Sequence, residues 1–178
     1  MLIRPARPGD EDGIAQLHVH SWQSTYRGII PDGVLHDLSI EDRRQMWADA
    51  MQEMQSAPTK KVILVAIEDD EIVGFVCGGV ARTEHLTHKD RFDCELYAIY
   101  VEKAHHSRGI GAELFAQMKD WLIKHNYKNM FLWAFADNPF LYFYEKVGGT
   151  VGDEHYINDS LGIPLKIINY AWHDMDRK

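Results

Sequence analysis

Apolar and polar positions along the chain follow two rhythms, and each change of rhythm marks an element. Leu2 to Ala6 is a short apolar strand, and Pro8-Gly9-Asp10 is a turn in which Asp10 caps a helix. Ile14, Leu17, His18, Ser21 and Trp22 recur at helical spacing, so Glu11 to Tyr26 reads as a helix. Arg27-Gly28 ends it, and Pro31 stands near the start of a short helix that runs to Leu38. Ser39 followed by Asp42 has the form of a capping box with Asp in place of Glu, and it opens a helix over Ile40 to Gln55. Ala57-Pro58-Thr59 breaks that run.

The pattern then changes to strands. Val62 to Ile67 is β-branched, Asp69-Asp70 is a hairpin turn, and Ile72 to Val80 is the partner strand. Thr83 to Arg91 is polar and reads as a loop. Phe92 to Val101 is apolar nearly throughout, as a central strand buried on both faces should be. Ser107 to His125 carries Ile110, Leu114, Phe115, Met118, Trp121 and Leu122 in one helical stripe. Met130 to Ala136 is a strand, and Asn138-Pro139 opens a short helix that Gly148-Gly149 stops. Thr150 to Ile157 and Leu165 to Trp172 are strands around a turn, Asn158 to Pro164. There is no repeat, low-complexity tract or linker, so residues 1–178 read as one domain of α/β or α+β class.

Composition narrows the function classes. The chain has 178 residues and is 46% hydrophobic, enough for a sizeable core. A formal net charge of −8 argues against general nucleic-acid binding, which needs a basic face. No apolar run approaches the roughly 20 residues that span a bilayer, and MLIRPARPGDEDG lacks the apolar centre of a signal peptide. The expectation is a cytoplasmic protein with no membrane partner. Cys77 and Cys94 lie in strand-like runs and read as reduced, buried and structural. The ten histidines form no zinc-ligand constellation, so no metal is expected. His18 and His20 point to different helix faces, and His85 and His88 have no clear third ligand.

The segment Cys94 to Gly111, CELYAIYVEKAHHSRGIG, carries the chemistry. A buried strand leads into a basic, His-rich turn, and two glycines open a helix. The first N–H groups of a helix have no internal partner, and the helix dipole adds positive charge there, so phosphate binds readily. Gly109-x-Gly111 alone is a weak signal. It lacks the third glycine of a dinucleotide fingerprint and the Gly-Lys-Ser/Thr of a P-loop. A tight strand-to-helix turn and a diphosphate site both fit it.

The wider pattern resembles the GNAT family of N-acetyltransferases. His106 to Gly111 aligns with that family's Gln/Arg-x-x-Gly-x-Gly/Ala motif, with His106 in the place of Gln or Arg. Glu95-Leu96-Tyr97-Ala98-Ile99-Tyr100-Val101 is similar to its fourth strand. Asn138, followed by Phe143-Tyr144-Glu145-Lys146-Val147-Gly148-Gly149, is similar to its Asn-…-Phe-Tyr-Glu-Lys-Leu-Gly-Phe segment. The resemblance implies a mixed, mostly antiparallel sheet of about seven strands flanked by helices, with a splayed and bulged central strand.

It also implies acetyl-CoA as cosubstrate. Backbone N–H groups of His106, Ser107, Arg108, Gly109, Ile110, Gly111 and Ala112 would hold the pyrophosphate, with Arg108 either adding a charged contact or standing as a surface arginine. Ile99 and Val101 would pair with pantetheine, and Tyr100, Asn138 and Leu141 complete the cofactor side, Asn138 serving equally as a helix cap. Tyr144 is the candidate donor to the leaving thiolate and Glu95 the candidate base, either of which a packing or surface role would also explain. Trp22 and Tyr26 are candidates for the acceptor pocket, with core packing the simpler role. The expected function is acetyl transfer to a primary amine of a small molecule or peptide, as a monomer or homodimer. The alternative is an acyl-CoA-binding module without chemistry.

Overall fold

The computed structural model describes residues 1–82, 91–158 and 164–176. The elements, in order, are β1 (Leu2–Pro5), α1 (Glu11–Thr25), α2 (Asp32–His36), α3 (Ile40–Ser56), β2 (Lys61–Glu68) and β3 (Glu71–Val80). They continue with β4 (Cys94–Val101), α4 (Ile110–Lys124), β5 (Met130–Phe135), α5 (Leu141–Lys146), β6 (Thr150–Asn158) and β7 (Pro164–Trp172). Residues 83–90, which hold Glu84, His85 and His88 of the expected loop, and residues 159–163 of the expected turn lie outside the described residues.

The seven strands form one sheet in the order β1-β2-β3-β4-β5-β7-β6. All neighbours are antiparallel except β4 and β5, which are parallel and paired only through Cys94 with Met130 and Glu95 with Phe131. Beyond that point the two central strands diverge. β4 also carries an extra residue against β3, because Cys77 faces Ala98 while the next residue, Gly78, faces Leu96. Tyr97 is therefore the bulged residue, and a bulge bends its strand. The sheet is thus split at its centre by a parallel pair that cannot stay paired.

Each face of the sheet has its own core. On one, α4 lays Ile110, Leu114, Phe115, Met118 and Leu122 against Val73, Val76, Leu96, Met130 and Leu132. β3 allows this close approach: a Cβ on Gly74 would meet Leu114 at 3.0 Å, and one on Gly78 would meet Met118 at 2.7 Å. On the other face, Ile14, Ala15 and Leu17 of α1 and Trp47 and Met51 of α3 cover Ile63, Val65, Phe75 and Cys77. A smaller cluster of Tyr26, Ile30 and Leu35 packs with Phe135 beside α2.

Local signals act mostly as the sequence predicts. Asp69 and Asp70 both take positive φ in the β2–β3 turn, and Asp42 N–H donates to Ser39 Oγ at 3.0 Å to cap α3. Asp10 does something else. It stands before α1 but makes no side-chain cap; its carboxylate accepts two hydrogen bonds from Arg4 and one from Arg7 N–H. The ion pair with a guanidinium wins over the cap, ties β1 to α1, and holds the Asp10 carboxyl below its ordinary range.

Both cysteines are buried and unpaired, and burial pushes the Cys77 thiol up to about 12. Among the described residues no helix is long and apolar enough to cross a membrane.

Candidate active site

The split between β4 and β5 opens into a cavity of about 460 Å³. Its walls come from four places: Leu96 to Val101 of β4, Leu132 to Ala134 of β5, the turn and first residues of α4, and the α5 region from Asn138 to Val147. Ser21, Ser24, Thr25 and Tyr26 at the end of α1 close one side. No carboxylate is among the described residues that line it.

The turn before α4 is built for an anion. Ser107 (φ 61°) and Gly109 (φ 82°) are both left-handed, so the chain doubles back and presents successive N–H groups inward. Gly109 takes this conformation without the strain a Cβ would bring. Ile110, Gly111 and Ala112 follow as the first turn of α4, whose N–H groups have no partner within the helix. All but Arg108 of the residues from His106 to Ala112 line the cavity.

Arg108 turns away. Its guanidinium pairs with Glu68 of β2 at 2.9 Å, beside His105, and adds nothing to the cavity wall. The charged contact expected of it goes to a neighbouring carboxylate that local sequence could not reveal, 40 residues away. His106, in contrast, does more than offer a backbone N–H. Its Nε2–H donates to Val101 O at 2.8 Å, and its ring meets Phe140 edge-on. The ring thereby ties the turn to the end of β4 and to the approach of α5, and the bond sets its tautomer.

Tyr144 lines the cavity from α5, with its ring against Tyr170 (5.3 Å) and Phe143 (5.5 Å). Its hydroxyl has no hydrogen-bond partner among the described residues. Burial raises its pKa well above the ordinary phenol, so it is a proton-bearing donor at neutral pH. Leu141 packs against the α4 core from the same helix. Asn138 is buried and lines the cavity, and its Oδ1 accepts from Phe140 N–H at 2.8 Å. That bond makes it a cap of the turn before α5 while its amide nitrogen faces inward.

Glu95 stands outside the cavity lining. It shares a face with Tyr97 and Tyr100 but stands at the start of β4, where it is buried and does not line the cavity. Three donors hold its carboxylate: Arg82 Nε at 3.0 Å, Arg82 NH2 at 2.6 Å and Arg82 N–H at 3.0 Å. The guanidinium also lies over the Tyr97 ring at 4.3 Å. The carboxylate in an apolar strand, read from sequence as a candidate base, is one half of an ion pair that fastens the segment after β3 to β4. Its partner is Arg82, 13 residues away in the chain.

Tyr26 lines the cavity and Trp22 stands behind it, edge-on at 5.2 Å. Trp22 Nε1–H donates to Tyr100 Oη at 2.8 Å, so the indole supports the wall rather than forming it. The sequence reads both residues as candidates for the acceptor pocket, and of the two only Tyr26 lines the cavity. Trp133, also lining the cavity, is missed by the sequence, since alternation along β5 marks it only as a strand residue.

Comparison with known proteins agrees with this geometry. Residues 31–148 match the family model described as "Acetyltransferase (GNAT) family". The uncharacterized N-acetyltransferase YuaI of Bacillus subtilis is 30% identical over 176 residues, covering 98% of this chain and 94% of that protein. Among solved structures, PaiA N-acetyltransferase from Thermoplasma acidophilum, in complex with coenzyme A, superposes with a TM-score of 0.75 at 20% identity, over 96% of this chain and 98% of its own. YncA from Salmonella typhimurium, with its cofactor acetyl-CoA, gives 0.71 at 19%, over 100% of this chain and 95% of its own. At these identities the structural likeness shows the fold.

Proposed function

The chain belongs to the acetyltransferase (GNAT) family, and from that premise we propose that it moves an acetyl group from acetyl-CoA to a primary amine by direct attack in one ternary complex. The observation that carries the reading is a convergence. A strand edge without a partner, a turn of inward N–H groups and a free phenol meet in one cavity.

The residues fit the cosubstrate. The N–H groups from His106 to Ala112 would hold its pyrophosphate, aided by the positive end of the α4 dipole. On β4, the Cys94 N–H points toward β5, where it donates to Asn129 O at 3.3 Å. The inserted Tyr97 shifts the alternation, so Ile99 and Val101 present their backbone groups to that same edge where β5 has moved away. A ligand amide can complete the ladder there. The Val101 carbonyl already accepts from His106, which leaves one of its two lone pairs for the pantetheine.

Acetyl-CoA supplies the acetyl group as a thioester. The amine nitrogen attacks the carbonyl carbon, the C–N bond forms, the C–S bond breaks, and the thiolate departs. Donors already aimed at the developing charge lower this barrier, and Tyr144 is placed to give its hydrogen bond to the thiolate. A phenol is ordinarily a weaker acid than a thiol, and burial of Tyr144 widens that gap. Tyr144 therefore acts as a hydrogen-bond donor, with protonation of the thiolate completed from the amine or solvent. Glu95 takes no part. The amine arrives neutral or gives up its proton to water, and a wall that holds Lys146 but, among the described residues, no carboxylate favours its neutral form. Acetyl-CoA use and two unpaired cysteines fit a cytoplasmic setting.

The test is a thermal-shift titration with acetyl-CoA, CoA and NAD. Acetyl-CoA and CoA should stabilise the protein in proportion to the logarithm of their concentration, and NAD should not. Stabilisation by NAD alone would overturn the reading.

A further inference from the structure

The turn before α4 is fastened at three points, and the third lies outside the cavity. Glu102 N–H, just after β4, donates to Val73 O at 2.9 Å, which ties the entry of the turn to β3. His106 Nε2–H donates to Val101 O at 2.8 Å, which ties its middle to β4. Beyond His106 come Ser107, Arg108 and Gly109, and of these only Arg108 has a side-chain partner among the described residues. That partner is Glu68, the last residue of β2. One guanidinium nitrogen of Arg108 lies 2.9 Å from Glu68 Oε2 and 3.1 Å from Oε1. His105 comes to the same Oε2 with its Nε2 at 3.6 Å, while its Nδ1 lies 2.8 Å from Glu102 Oε2.

Alternation along β2 brings Glu68 to this place. Val62, Leu64 and Ala66 pack in the core under α4, and Ile63, Val65 and Ile67 in the opposite one. The period of two returns Glu68 to the α4 side, where the turn enters the helix. Its side chain is mostly buried, at 18% exposure, while that of Arg108 is half exposed. A mostly buried carboxylate thus stands beside a turn built for an anion. As a bare charge it opposes the ligand, so attraction of the ligand does not account for it. What it holds does. Arg108 stands between Ser107 (φ 61°) and Gly109 (φ 82°), the two left-handed residues that turn the N–H groups inward. A left-handed residue with a Cβ, such as Ser107, persists only where its surroundings fix it.

We infer that Glu68 is a positioning residue for acetyl-CoA. Acting through Arg108, it holds the stretch from Ser107 to Gly109 in the shape that grips pyrophosphate before the ligand arrives. Donors fixed in advance bind more tightly, because less freedom is lost on binding. Arg108 then serves the site without touching the ligand. The inference rests on the acetyltransferase reading above.

The experiment is calorimetric titration of acetyl-CoA into wild type, Glu68→Ala, Arg108→Ala and the double variant. An NMR titration of each protein with S-acetylpantetheine, a thioester without the pyrophosphate, runs beside it. Each single change should raise the acetyl-CoA Kd about fivefold, the upper range for a half-exposed ion pair, and the double should lose no more than either single. In turnover with an accepting amine, the loss should fall on KM for acetyl-CoA rather than on kcat. Binding of S-acetylpantetheine should be the same in all four proteins. The sign of the Glu68 effect separates positioning from charge. If the pair acted only as charges, Arg108→Ala would weaken acetyl-CoA and Glu68→Ala would tighten it. An unchanged or tightened Kd in Glu68→Ala, additive losses in the double, or an equal loss with S-acetylpantetheine would overturn the inference while leaving the acetyltransferase reading intact. Absence of acetyl-CoA binding in wild type would overturn both.

Discussion

Arg82 wraps the Glu95 carboxylate with three hydrogen bonds, two from its guanidinium and one from its own backbone N–H. The pair joins the segment just after β3 to the first residues of β4 at the point where β4 still touches β5. It therefore holds closed the sheet just below the split that forms the cavity. The Glu95 side chain is buried while that of Arg82 is mostly exposed, so the two halves are not equivalent. Arg82→Ala strands a buried carboxylate and should cost about 2–3 kcal/mol, the low end for a broken buried pair because of Arg82's exposure. Glu95→Gln should cost less, since Arg82 can return to water. Denaturant unfolding measures both. In a pH–rate profile Glu95→Gln should leave in place the acidic limb, where protonation of a base would show; a shifted limb would restore Glu95 as the base.

Tyr144→Phe tests the thiolate contact. We expect kcat to fall about 10- to 100-fold with little change in acetyl-CoA affinity. Burial raises the Tyr144 pKa, so the protonated donor persists upward in pH. The wild-type rate should accordingly show no loss from ionisation of this phenol below about pH 10. Steady-state kinetics across pH reads both effects.

The two motif glycines should behave differently when each is changed to alanine. Gly109 has φ 82° with open space around it, so Gly109→Ala is strained by its backbone alone, by about 1 kcal/mol, and disturbs the turn. Gly111 has an ordinary helical backbone, and a Cβ there would meet Phe143 at 3.4 Å and Val101 at 3.6 Å, ordinary contacts. Gly111→Ala should leave thermal stability and acetyl-CoA affinity nearly unchanged, whereas Gly109→Ala should lower both. Calorimetry with and without cofactor distinguishes them.

Much of this was legible in the chain because it is local. The helical stripe of α4, the β2–β3 turn and the Ser39 cap are each set by neighbours a few residues apart, and the structure has them close to where the sequence predicts. The differences have local causes as well. The expected helix from Ser107 begins at Ile110, because left-handed Ser107 and Gly109 hold the chain in a turn. The helix expected at Asn138 begins at Leu141, because Asn138 first closes its own turn onto Phe140. What the sequence could not show is long-range pairing between side chains. Glu95 finds Arg82, Arg108 finds Glu68, and Trp22 finds Tyr100 across 78 residues. Each of these partners is invisible to periodicity, and each changes a residue's role.

Buried His18 sets a pH limit on the fold. Its Nδ1 accepts from Trp47 Nε1–H at 3.2 Å, and burial together with Arg43 lowers its pKa from 6.5 to about 3. The unfolded chain then binds a proton near pH 6.5 that the folded chain refuses until about pH 3. Stability from this group is full above pH 6.5 and falls as pH drops through that window, by about 1.4 kcal/mol per pH unit. Asp10, also lowered, adds its loss only near and below the ordinary carboxylate value of 3.8. Unfolding free energies between pH 6 and 4.5 should therefore show the His18 slope, and His18→Gln should flatten it while lowering stability at pH 7.

In the proposed function, the cavity between β4 and β5 brings acetyl-CoA and an amine together for transfer. The most direct measurement is thiol release from acetyl-CoA, with and without each of a panel of primary amines. Release should depend on amine, saturate with both substrates, and yield N-acetylated amine in equal amount. Acetyl-CoA binding with no amine-dependent release from any class of amine would contradict it, and would mark the chain as a protein that binds the thioester without using it.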